Sequence, residues 1–95
     1  MQPRSDLEPP AVRARIREVI LEMAPIASAE AAASASLTVD LGFDSLRLVE
    51  LATALEDEFG LAEADEDDVA GIETVGDVED LILRLLDESR NGAGR

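Results

Sequence analysis

The stretch Asp40-Leu41-Gly42-Phe43-Asp44-Ser45-Leu46 runs straight into a strongly patterned segment, Leu46 to Phe59, which Gly60 closes. In that segment Leu48, Leu51, Ala52, Leu55 and Phe59 cluster within one arc at roughly 100° per residue, so it reads as a helix over about 45–59 with one buried face. The junction places a Gly, two Asp and a Ser immediately before the helix. A hydroxyl at a helix N-terminus is suited to holding a phosphate, because the first backbone N–H groups are unpaired and the dipole favours an anion. Ser and Asp are also ordinary N-caps that satisfy those same groups. Spacing alone leaves both readings open.

The rest of the chain sets limits on function. Its 95 residues suffice for one small domain. With no Cys there is no disulfide, thiolate metal site or nucleophilic thiol, and with no His the usual general base and zinc ligand are missing. Phe43 and Phe59 are the only aromatics, which leaves an aliphatic core. The net charge is −14, from 22 acids against 8 bases, all of them Arg. Nucleic-acid binding needs a basic face to neutralise phosphates, so it is not expected. Partners with positive docking patches are. No apolar run approaches the roughly 20 residues of a membrane span, and the first residues lack the apolar core of a signal peptide. The expectation is a cytoplasmic monomer.

Periodicity predicts an all-α fold, a small four-helix bundle of three long helices and one short, with a long first loop. Residues 1–8 read as a flexible tail, 9–89 as the domain and 90–95 as a second flexible tail. Pro9 and Pro10 suit a helix entry, and Val12, Ile16, Val19, Ile20 and Met23 form its stripe before Pro25 ends it. Arg13, Arg15 and Arg17 lie mostly off the stripe and read as a solvated face. The connection 26–39 is long for a compact domain. Its alanines are compatible with a short helical turn beginning at Ser28, and Leu37 reads as its anchor. From Glu50 to Asp80 there are 13 acids and no Arg. Asp65-Glu66-Asp67-Asp68 fails the calcium-loop template, because Val69 and Ala70 occupy the fifth and sixth positions. A short third helix is expected near 66–70, ending at Gly71. Thr74 and Asp77 resemble a capping box that opens the last helix, with Val75, Val78, Leu81, Ile82, Leu85 and Leu86 on its apolar face. Glu79 and Asp80 read as solvated acids.

The motif at 40–46, Val49-Glu50-Leu51, Glu56-Asp57-Glu58-Phe59 and the downstream Ile72-Glu73-Thr74-Val75-Gly76-Asp77-Val78 together resemble the acyl carrier protein family, over about 12–86. The resemblance implies that Ser45, beside its motif neighbour Asp44, carries 4′-phosphopantetheine through a phosphodiester. A phosphopantetheinyl transferase would install that arm from coenzyme A. Leu46 and Val49 point away from the core stripe, with Glu50, Thr53, Glu56 and Asp57. Two exposed aliphatics are normal by themselves, but family members dock their enzymes through this helix. This face is therefore the expected docking surface for the transferase, acyl-loading enzymes and synthases with basic patches.

Catalysis by the chain itself is not expected, because it has no His, Cys, Lys or Tyr. The arm's thiol would carry acyl groups as thioesters while the protein attaches, orients and docks. Gly42-Phe43-Asp44-Ser45-Leu46 looks like carriers from polyketide and related secondary-metabolite systems, and the Glu-rich second helix is shared with fatty-acid carriers. Peptidyl carriers more often have Gly in place of Phe43 and a neutral or basic residue in place of Asp44. An acidic helical interaction module, with Ser45 only a cap, is the alternative from another class.

Overall fold

Two prolines at its first positions open α1 (Pro9–Met23) without a side-chain cap, and the chain turns extended at Ala24 ahead of Pro25. This is a computed structural model that describes residues 8–26, 31–62 and 65–92. The turn expected at Ser28 lies outside those residues, as does the N-terminal tail through residue 7. Val12, Ile16, Val19 and Ile20 are buried along one side of α1. α2 (Ser45–Phe59) buries Leu51 and Leu55, with Leu48, Ala52 and Phe59 half-buried beside them. α3 (Glu66–Ala70) is one short turn before Gly71. α4 (Val75–Gly92) continues past residue 89 and packs through Val75, Val78 and Ile82. Among the described residues four helices, three long and one short, make the expected small bundle, with α1 against both α2 and α4.

The capping box at α4 forms as its sequence implies. Thr74 Oγ1 accepts from the Asp77 N–H at 3.1 Å, and Asp77 Oδ2 accepts from the Glu73 and Thr74 N–H groups at 2.9 and 3.1 Å. Those backbone donors hold the Asp77 carboxyl below its ordinary pKa.

The long first loop is tied to this same capped turn. Leu37, fully buried, is the anchor, and its N–H donates to Glu73 O at 2.9 Å. The Val75 N–H donates to Ala35 O at 3.0 Å and the Gly76 N–H to Ala33 O at 2.8 Å. A Cβ at residue 76 would stand 3.1 Å from the Ala33 oxygen, so the close approach favours Gly there. An isolated antiparallel bridge, Ser36 to Thr74, completes the seam.

Two expectations are corrected at the α1–α4 contact. Glu79 is fully buried, not solvated, and Arg13 and Arg17 bind it rather than forming a free face. Arg13 Nη1 donates to Glu79 Oε1 at 2.7 Å, and Arg17 donates through Nε and Nη2. The cause is helical phase. Glu79 lies four residues after Val75 and three before Ile82, on the buried side of α4. Arg13 and Arg17, four apart on α1, reach it with their stems on the core and their heads near water. Burial pushes the Glu79 carboxyl up, but the charge-assisted hydrogen bonds from Arg17 and Arg13 outweigh it and hold the group below its ordinary value. Asp80 is solvated as expected and takes a second bond from Arg13 at 3.3 Å. Arg15 turns the other way and grips Glu58 of α2 with Nε and Nη2, at 2.8 and 3.1 Å.

Candidate functional site

The turn before α2 is built from alternating buried residues. Leu41 and Phe43 are buried in the core, and the Phe43 N–H donates to Leu37 O at 2.8 Å. Between them Gly42 has φ +84°, and a Cβ there would come within 2.9 Å of Ile26 Cγ1. Both the left-handed backbone and the close approach require glycine. The Ile26 N–H donates to Leu41 O at 3.2 Å, which joins the end of α1 to this turn.

Asp44, not Ser45, is the N-cap of α2. Its Oδ1 accepts from the Arg47 N–H at 2.8 Å. Ser45 is the first helical residue and is exposed. The two readings of the junction thus fall on different residues, and with Asp44 in the capping role the Ser45 hydroxyl is left at the helix N-terminus, facing water.

Arg47 is a part of the site that sequence reading missed. Its Nε donates to Met23 O, at the C-terminus of α1, at 3.0 Å, and its Nη1 donates to Glu50 at 2.8 Å. A cation there complements the α1 dipole and fixes the start of α2 against the end of α1. The contact spans 24 positions, so no local pattern announces it.

The remaining expected site residues divide. Leu46 is 68% exposed and Val49 55%. Glu50, Thr53 and Asp57 are exposed beside them, with Glu50 in its ion pair with Arg47. Glu56 departs from this group, being half-buried and lining a groove between α2 and α3. The groove is open, about 510 Å³ in volume, and its α2 wall runs from Ser45 through Leu48, Val49, Ala52 and Thr53 to Glu56. Val69, Ala70 and Ile72 form much of the facing wall. At 1.5 Å per residue the α2 wall is about 16 Å long. An exposed primary hydroxyl at a helix start, at one end of a mainly apolar groove, fits a phosphate-linked flexible group.

A family model described as "Phosphopantetheine attachment site" matches residues 14–82, more than half of the chain. The chain belongs to the acyl carrier protein family. Its similarity to an acyl carrier protein of Saccharopolyspora erythraea is 46% identity over 72 residues, 76% of this chain and 75% of that one. It is 41% identical over 80 residues to a meromycolate extension acyl carrier protein of Mycobacterium leprae, 84% of this chain and 69% of the relative. A solved structure from Mycobacterium tuberculosis, assigned as an acyl carrier protein, matches with TM-score 0.63 and 40% identity, covering 70% of this chain and 88% of that chain.

This acyl carrier protein is a carrier and not a catalyst, and its prosthetic group is 4′-phosphopantetheine. The reading as an acidic module without a prosthetic group gives way accordingly. Acyl carrier proteins work with phosphopantetheinyl transferases and synthase enzymes as a class. Among the described residues no helix is long and apolar enough to cross a membrane.

Proposed function

We propose that Ser45 is the residue that carries the arm, and that the chain shuttles acyl intermediates as thioesters in polyketide or related secondary-metabolite biosynthesis. The observation that carries the first part is the division of labour at the α2 start. Asp44 satisfies the helix N-terminus, and Ser45 stands exposed one residue on, in a chain that matches the attachment-site family. The Gly42-Phe43-Asp44-Ser45-Leu46 motif supports the polyketide reading. A second reading, fatty-acid chain extension, draws on the relatives named for meromycolate extension. In either case Leu46, Val49, Glu50, Thr53 and Asp57 form the surface that meets the partner enzymes, with Glu56 at its groove edge.

Intact mass after incubation with a phosphopantetheinyl transferase and coenzyme A tests the assignment. One phosphopantetheine should be gained by the wild type and none by Ser45→Ala; a gain by the Ala variant would overturn it. The acyl group found by mass on carrier isolated from its own host separates the two pathways. An oxygenated, partly reduced chain supports the first, and a fully reduced long alkyl chain the second.

A further inference from the structure

Among the described residues five large hydrophobic side chains are exposed: Leu21, Ile26, Val39, Leu46 and Val49. The three most exposed, Val39 at 78%, Leu46 and Val49, all lie within six residues of Ser45 in the chain. Ile26, just past the end of α1, is held against the same region by its hydrogen bond to Leu41 O, while Leu21 lies within α1. Four of these five exposed apolar side chains are therefore gathered near the turn that leads to Ser45, in a protein that is otherwise strongly acidic.

Leu46 and Val49 belong to the α2 face already described. Val39 does not, and its setting is unusual. A single exposed valine is ordinary, but this one is displayed by a closed turn. The Ser36 N–H donates to Asp40 Oδ2 at 2.8 Å, and the Val39 N–H donates to Ser36 Oγ at 3.0 Å. The Asp40 and Leu41 N–H groups both donate to Ser36 O, at 3.0 and 3.1 Å. Leu37 and Leu41, one on each side, are fully buried and serve as the feet of the turn. A β-branched side chain fixed in this way loses little further freedom when it is covered, so its burial by a partner is not offset by an ordering cost.

Six residues span at most about 20 Å. An interface of standard size covers about 800 Å² of each partner, a patch about 30 Å across. An enzyme that reaches the Ser45 hydroxyl and also sits on Leu46 and Val49 therefore reaches Val39 within one such footprint. Asp40 and Asp44 lie between, with their carboxylates already committed to backbone N–H groups, and add negative charge without needing a counterion.

We infer that Val39 is a second anchor for the enzyme that loads Ser45, taken into an apolar depression rimmed by Arg or Lys while Leu46 and Val49 engage the rest of the contact. The inference rests on the reading of Ser45 as the attachment residue and adds the loop to its docking surface.

The test is steady-state loading by a phosphopantetheinyl transferase with coenzyme A, followed by intact mass. Val39→Ser should raise KM for the carrier about tenfold, the loss expected for one apolar side chain at a contact, with kcat nearly unchanged. Val39→Thr keeps the shape and β-branch and should raise KM in the same direction. Leu21→Ser, an equal apolar loss on α1, should leave KM at the wild-type value. Thermal melts of all three should match the wild type. Wild-type KM in both Val39 variants, with KM raised in Leu46→Ser, would overturn the inference and confine docking to α2, while the attachment assignment stood. Failure of the wild type to gain any mass would instead sink the attachment assignment, and this inference with it.

Discussion

At the scale of single residues, the α2 start separates two jobs that sequence alone could not separate. Asp44 and Ser45 are both good N-caps, and only the backbone shows that the helix begins at Ser45, which leaves Asp44 to cap. The consequence is measurable. Asp44→Ala should destabilise the fold by about 0.5–2 kcal/mol, whereas Ser45→Ala should change stability by less than about 0.5 kcal/mol. Urea titrations of the two variants check this; equal losses would mean that the serine shares the cap. Gly42 shows the same limit of sequence reading. The motif placed it in a turn, but its close approach to Ile26 depends on a residue 16 positions away.

At the scale of elements, periodicity was a good guide wherever one face is apolar and the other charged. The stripes on α1 and α2 were legible for that reason, and the Thr74–Asp77 cap from its own local pattern. The buried Glu79 was not, although the signals existed: an acid in phase with Val75 and Ile82, and two arginines four apart on another helix. Charge was read as solvation, and the partner lies more than 60 positions away. Because the folded-state pKa of Glu79 lies below its unfolded value, the ionised group stabilises the fold above about pH 4.3. That contribution is lost as the pH falls through the folded-state pKa. Glu79→Gln should therefore be less stable than the wild type by about 1–3 kcal/mol near neutrality, and in melts the gap should narrow progressively as the pH falls below about 4.3. Arg13→Ala with Arg17→Ala should be worse than Glu79→Gln at neutral pH, because together they strand a carboxylate in the core, whereas the glutamine variant leaves half-exposed guanidinium groups that can turn to water. A gap between wild type and Glu79→Gln that is constant with pH would contradict this account of the Arg13–Glu79–Arg17 contact.

At the scale of the whole molecule, the arginines of α1 are occupied by Glu18, Glu58, Glu79 and Asp80. The acid-rich stretch from Glu50 onward has no arginine until Arg84, which pairs with Asp68. Charge is thus more nearly balanced around α1 and unbalanced along α2 and α3. If that imbalance steers the loading enzyme, Glu50→Arg with Asp57→Arg should slow loading several-fold at low salt, and the wild-type rate should fall as the Debye length shrinks below about 10 Å. Glu18→Arg with Glu88→Arg makes the same change in net charge elsewhere, and like Glu50 each of these acids has an arginine partner. Equal slowing by both pairs would leave only a general field and no docking face. Glu79 is unsuited to such a comparison, because reversing it would break the core.

The seam between the long loop and the α4 cap also bears on when the carrier becomes usable during its own synthesis. The loop leading to Ser45 is held by Glu73 O and by the N–H groups of Val75 and Gly76, which the ribosome makes about 30 residues after the serine. A growing chain can coil α2 early, yet Ala33 O, Ala35 O and the Leu37 N–H lack these partners until the start of the final helix has emerged and capped itself. An enzyme that reads the turn as well as the helix would therefore pass over nascent and truncated chains and spend coenzyme A only on finished ones.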